Sequence, residues 1–256
     1  MDHTVIAMLA GVGVLGGIIA TIVGGAAIVV YPVLIALGFS PQIAAVTNLI
    51  ALTPATMLAA LADRKQLPPL NRDFAGLVTA SIAGAGIGAA LLVLTPERLF
   101  SMIVPLLLGF ATVLFAFSER LGRWLRARAA ERGRELAINI ASLKFILPVS
   151  LYGGYFGAGV GIMMLAVFSV ATGGDYRSAN VTKNFVMSLN STVATLIFWR
   201  QGVVHWPQTF ALMAGTLVGG LAGSYLARII PREVMRVLIV AVGALLTIAF
   251  ARRYWF

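Results

Sequence analysis

Residues 179 to 198, ANVTKNFVMSLNSTVATLIF, combine two properties that rarely go together. The stretch is apolar enough to lie in a lipid bilayer, yet it carries Lys183 between Thr182 and Asn184, with Asn190, Ser191, Thr192 and Thr195 further along. On a helix, Lys183 and Asn190 are seven residues apart and share a face, while Asn184, Ser188, Ser191 and Thr195 form an adjoining polar stripe. Lipid satisfies none of these groups, so the sector must face protein or water. An ionisable side chain inside a membrane segment marks a substrate pathway by default. Snorkelling of the long side chain to the interface is the competing explanation. An ammonium with no acidic neighbour in the membrane core calls for an anionic ligand. Lys144, beside Asn139 and Ser142, is a second candidate cation that lies near an Arg-rich segment and has the same snorkelling alternative.

The elements that hold these groups must be transmembrane helices. Of 256 residues, 60% are hydrophobic and 11% charged, against about 25% charged in soluble domains. Stretches 74–94, 99–118 and 233–251 each reach the roughly 20 apolar residues a helix needs to cross a bilayer. The fold class is therefore an all-α polytopic membrane protein, and the short alternating segments of a membrane β-barrel are missing. The N-terminal run lacks the positive region of a signal peptide and is expected to be part of the mature chain. With no cysteine and two histidines, His3 and His205, the sequence offers no thiolate or histidine metal site, and no metal or cofactor is expected. No nucleophile–base pair presents itself, so an enzyme is not expected. The net charge of +10 gathers in Arg120, Arg123, Arg126, Arg128, Arg132 and Arg134, between apolar blocks. That is the cytoplasmic bias of basic loops beside membrane helices, and it removes the case for nucleic acid.

The chain repeats itself at an offset of 135 residues. Gly24 matches Gly159, Thr47 matches Thr182, Gly84 and Gly88 match Gly219 and Gly223, and Pro96 matches Pro231. Each half has about four hydrophobic segments, near 5–38, 41–62, 73–94 and 97–118, then 137–173, 176–199, 207–228 and 232–252. The expected organisation is a first transmembrane repeat, 1–118, a basic cytoplasmic linker, 119–135, and a second repeat, 136–256. Internal repeats of this kind are common in secondary transporters, with the substrate held where the repeats meet.

The first segment of each half is too long for one span and too short for two, and glycines interrupt it. A broken or re-entrant helix is predicted in each half, with the breaks facing each other and lining a cavity. Half-helix N-termini there would present free N–H groups to an anion. The glycines spaced by four, Gly84/Gly88 and Gly219/Gly223, are instead predicted to let helices pack closely.

GGIIATIVGGAAIVVYP, SPQIAAVTN, GGYFGAGVGIMMLAV and YRSANVTKN resemble motifs of the TauE/SafE family of sulfite and organosulfonate exporters. The resemblance covers both halves outside 119–135. It implies a bacterial inner-membrane permease exporting a small sulfur-containing or organic anion, such as sulfite or sulfoacetate. It also implies a substrate site at Thr47, Asn48, Thr182, Lys183 and Asn184 with the glycines of the breaks. The expected set is these five with Asn190, Gly24, Gly25, Gly159 and Gly161. Alternating access between the repeats is the expected mechanism. A channel-like anion pathway, an uptake permease and a non-transporting scaffold are the alternatives. The expected partners are the anion and the bilayer, and a homodimer stays open.

Overall fold

The computed structural model describes residues 3–22, 25–69, 71–131, 140–172, 175–226, 229 and 232–255. The described residues form helices joined by short turns. In order these are α1 (His3–Ile22), α2 (Ala26–Ala36), α3 (Pro41–Ala51), α4 (Thr53–Ala62), α5 (Arg72–Leu94), α6 (Glu97–Ala116), α7 (Ser118–Glu131), α8 (Ile140–Tyr155), α9 (Val160–Ala171), α10 (Tyr176–Arg200), α11 (Trp206–Leu226) and α12 (Arg232–Trp255). Five described segments, 4–21, 41–62, 72–94, 97–116 and 233–255, are long and apolar enough to cross a membrane. The protein is a polytopic all-helical membrane protein.

Both predicted breaks are present. Gly25, at φ 75°, separates α1 from α2, and residues 156–159 separate α8 from α9, with Gly157 and Gly159 at φ 82° and 78°. Residues with a Cβ rarely adopt this left-handed conformation, so glycine is required where the chain reverses. The first hairpin folds back on itself, since a methyl group on Gly16 of α1 would lie 2.6 Å from Val30 of α2.

The helix directions follow from a few contacts. Gln42, at the start of α3, donates to the carbonyls of Leu92 and Thr95 at the end of α5. Arg177, at the start of α10, instead pairs with Asp63, just past the end of α4. So α3–α4 and α10 cross the bundle in opposite senses. Helices α6 and α12 are antiparallel: Trp255 donates to the Met102 carbonyl at one end, and Arg236 pairs with Glu119 at the other. One end of the bundle therefore gathers Arg64, Lys65, Arg72, Arg120, Arg123, Lys144, Arg177 and Arg236. The other holds Arg98, Arg200, Arg252 and Arg253.

The closest packing joins α1 to α11 and α5 to α8. Gly88 and Gly154 lie where α5 and α8 touch, and Gly13, Gly17, Gly215 and Gly219 where α1 and α11 touch; an added Cβ would strike the facing helix's backbone. Small residues let helices approach this closely in a membrane, where apolar side chains gain little from leaving lipid. Gly84, Gly88, Gly219 and Gly223 all serve this packing role.

Two local features differ from the sequence expectation. Block 41–62 is interrupted at Leu52, because Pro54 lacks the N–H that would continue the α3 ladder. Residues 119–131, expected as part of a basic linker, belong to α7, which packs on α9. Its Arg, Ala, Leu and Glu residues have high helix propensity, which the charge pattern alone concealed. Residues 132–135 of that segment lie outside the described residues.

Candidate functional site

Helix α10 begins at Asp175, whose carboxylate accepts from the Arg177 and Ser178 amides and caps the first turn. Two turns on, Lys183 is partly buried and its Nζ donates to Asn180 Oδ1 at 2.9 Å, three residues back on the same helix. Among the described residues no carboxylate lies within 4 Å of this ammonium. Asn184, at the edge of burial, makes no side-chain hydrogen bond among the described residues.

The rest of the polar stripe is occupied locally. Thr182, Ser188, Thr192 and Thr195 each donate to a carbonyl of their own helix, at 2.7 Å in every case. Asn190 is committed elsewhere: its Nδ2 donates to Ser81 Oγ at 2.9 Å, and Ser81 lies 2.6 Å from Ser150 Oγ. This buried triad ties α10 to α5 and α8. The predicted shared face of Lys183 and Asn190 thus divides into an open cation and a structural amide.

The repeat-related pair on α3 behaves differently. Thr47 and Asn48 are 0% and 3% exposed, and Thr47 Oγ1 and Asn48 Oδ1 have no hydrogen-bond partner among the described residues. Ser40 caps this helix, with Pro41 at its first position, so the pair sits in the second turn. Tyr31 of α2 is 1% exposed and its hydroxyl is also unpartnered. Buried polar groups are nearly always paired, and each orphan costs about 1–3 kcal/mol, so three in one half need an explanation. Tyr31 was not anticipated. Its only sequence signal is a lone polar aromatic before Pro32 in the otherwise apolar AAIVVYPV.

The second break lies between these helices. A methyl on Gly157 would come 3.7 Å from Leu49 of α3, and one on Gly161 would come 3.6 Å from Met187 of α10. Both breaks also pack on one face of α6: a Cβ on Gly25 would meet Phe115, and one on Gly159 would meet Ala111. Helices α3 and α10 touch directly. Of the expected site residues, Thr47, Asn48, Thr182, Lys183 and Asn184 therefore lie on two contacting helices beside the breaks. Gly25 and Gly159 belong to the breaks themselves, and Gly161 lies in the first turn of α9. Gly24 lies outside the described residues. Lys144 is exposed near the start of α8.

The family model described as sulfite exporter TauE/SafE matches residues 9–250. The chain belongs to the TauE/SafE family. Its relatives include a probable membrane transporter protein of Haemophilus influenzae, 25% identical over 94% of this chain and 92% of that one. The probable membrane transporter protein YfcA of Escherichia coli K12 is 24% identical over 92% and 86%. The probable membrane transporter protein ORF9 of a Sinorhizobium species is 22% identical over 91% and 87%. No solved structure matches the chain.

One prediction arises from these unpaired polar groups. Tyr31→Phe removes an unpaired buried hydroxyl, so unfolding resistance is expected to hold or rise. Anion affinity should fall about tenfold if that hydroxyl hydrogen-bonds the ligand's charge. Thermal unfolding and calorimetry on the same sample read both. Unchanged affinity would remove Tyr31 from the site.

Proposed function

We propose that the protein is a permease that exports a small sulfur-containing or organic anion across a bacterial inner membrane. The observation that carries this reading is Lys183: an ammonium within the helical bundle, bonded to an amide and without a carboxylate within 4 Å among the described residues. Thr47, Asn48 and Tyr31 add unspent polar groups, and the Asn48 amide can turn to present Nδ2 instead of Oδ1. The description of the matching family as a sulfite exporter supports this substrate class, with sulfite or a sulfonate such as sulfoacetate first.

Alternating access between two inverted repeats is the mechanism these features support. At the 135-residue offset, α2 corresponds to α9, α5 to α11 and α6 to α12. Ser81 bonds across to Asn190 of the second half, and its counterpart Thr216 bonds across to the Ala51 carbonyl of the first, at 2.9 Å. The opposed directions of α3–α4 and α10 fit inversion. Because α1 packs on α11 and α5 on α8, the moving bodies in this reading are hairpins with their partners from the other half. They are not the two halves of the sequence.

The arginine-rich end, which includes α7, is assigned to the cytoplasm by the excess of basic residues on that side. Export then follows the membrane potential: with the inside negative, each anionic charge gains about 2.3 kcal/mol per 100 mV on leaving. The absence of an embedded carboxylate among the described residues is consistent with potential-driven export without a proton carrier on the protein.

Purified protein should bind sulfite or sulfoacetate in calorimetry, with sulfate and taurine as comparisons. In proteoliposomes, flux should saturate and should follow an imposed potential. Failure of sulfite, sulfoacetate and sulfate alike to bind would overturn the substrate class, and flux that never saturates would make the pathway a channel.

A further inference from the structure

The basic end of the bundle contains a cavity of about 440 Å³ that no part of the central site uses. Asp63, Arg64, Lys65, Gln66 and Arg177 line it. It sits between the end of α4 and the first turn of α10, on the seam between the two halves. Three cations face one carboxylate there. Arg177 Nη2 donates to Asp63 Oδ1 at 2.7 Å, with side chains 64% and 42% exposed, so the cavity is open to water. A guanidinium has five N–H donors, and this bond uses one edge of the fork.

Neighbouring side chains on α10 lead inward, winding about 120° around the helix between Arg177 and Lys183. Arg177, Asn180 and Lys183 follow at spacings of three along α10, and Asn180 Oδ1 already accepts from Lys183 Nζ. Six residues of helix place Arg177 about 9 Å outward of Lys183. A cluster of one sign at the mouth of a cleft raises the local concentration of the opposite ion. Arginine forks match oxyanions, which accept two parallel hydrogen bonds.

We infer that this cavity is a separate capture site for a small oxyanion of sulfur, in which Arg177 exchanges Asp63 for the ligand before the ligand passes to Lys183. Asp63 is the resident stand-in for the anion. The exchange is easy because an exposed ion pair contributes little to stability. The inference rests on the reading of Lys183 as the substrate cation. A lipid phosphate offers the same chemistry, and exposed Leu58 and Leu61 on α4 give acyl chains a surface nearby.

The chain has no cysteine, so a thiol-reactive fluorophore on Gln66→Cys reports the cavity alone. The readout is collisional quenching by iodide against neutral acrylamide, in phosphatidylcholine nanodiscs. Sulfate, compared with chloride at equal ionic strength, is the probe. Sulfate is expected to protect saturably where chloride does not. Arg177→Gln should weaken that protection about tenfold, the effect of losing one charged hydrogen bond. Asp63→Asn should strengthen it about threefold by freeing Arg177 from an exposed pair. Lys183→Met should leave the protection intact. Equal protection by chloride, or an unaltered Arg177→Gln, would overturn the site. Loss of protection in Lys183→Met would show that the cavity is no separate site. Loss of protection on adding phosphatidylglycerol would assign the cavity to a lipid headgroup and overturn capture from water. If calorimetry shows the central site unaffected by Lys183→Met while the cavity still protects, only the reading of Lys183 falls.

Discussion

Methionine at position 183 is expected to weaken sulfite or sulfoacetate binding by about 10- to 100-fold, the effect of losing a hydrogen bond between charged groups. The fold should not suffer. Among the described residues Lys183 Nζ bonds to Asn180 within its own helix and joins no second element. Methionine keeps the length of the side chain and its helix propensity, so the unfolding temperature should move by only about 2 °C. Lys183→Arg keeps the charge and should retain part of the affinity, although its planar fork directs donors differently. Asn190→Ala is the contrasting case. It removes the tie to Ser81 and leaves hydroxyls of α5 and α8 short of a partner. Its expected cost is about 0.6–2 kcal/mol of stability, the range for interhelical hydrogen bonds in membranes, with anion affinity retained. Calorimetry and thermal unfolding on the three variants decide the matter. Wild-type affinity in Lys183→Met would make the lysine a snorkelling residue, and the proposed site would lose its cation.

Much of this division was legible in the sequence, and the remainder was hidden for identifiable reasons. Long apolar blocks, proline after a serine cap and clustered glycines fix helices and breaks locally, so α3, α5, α6 and both hairpins could be placed. Closely spaced glycines such as Gly84 and Gly88 announced tight crossings without saying which helices cross. Partners in space are set by the whole bundle, so α1 against α11 could not be read from either segment. The polar stripe of α10 misled for a related reason. A threonine or serine in a helix can return its proton to a carbonyl one turn back. Sequence does not show that Thr182 does so while Thr47 does not. Tyr31 was missed because a single phenol in an apolar run looks like packing. Only its burial without a partner separates it from Phe156, against which its ring stacks edge-on at 5.1 Å. The Asp63–Arg177 pair joins residues 114 positions apart and left no local signal.

Alanine at Gly88 or at Gly219 is expected to be the most damaging small substitution in the protein. A Cβ on Gly88 would lie 2.0 Å from the Leu151 carbonyl oxygen, and one on Gly219 would lie 2.0 Å from the Val14 carbonyl oxygen. In both cases the obstruction is backbone, which cannot rotate away as a side chain could. The helices must separate, and separation forfeits the close contacts that hold membrane helices together in place of a hydrophobic drive. The cost should reach about 3 kcal/mol, the upper end of the usual range for overpacked cores. Gly76→Ala provides the control, since a Cβ there meets nothing within 4 Å and alanine favours the helix by up to about 1 kcal/mol. The measurement is unfolding in detergent with the yield of monodisperse protein. Near-equal losses at Gly88 and Gly219 are expected, because each lies where the first helix of one half meets the third hydrophobic segment of the other, α8 with α5 and α1 with α11. Loss at one position with tolerance at the other would mean that the two crossings are not equivalent, which would weaken the inverted-repeat reading. Tolerance at both would mean that α5 and α8, and α1 and α11, do not approach closely enough to exclude a methyl group, and the paired hairpins could not act as the moving bodies.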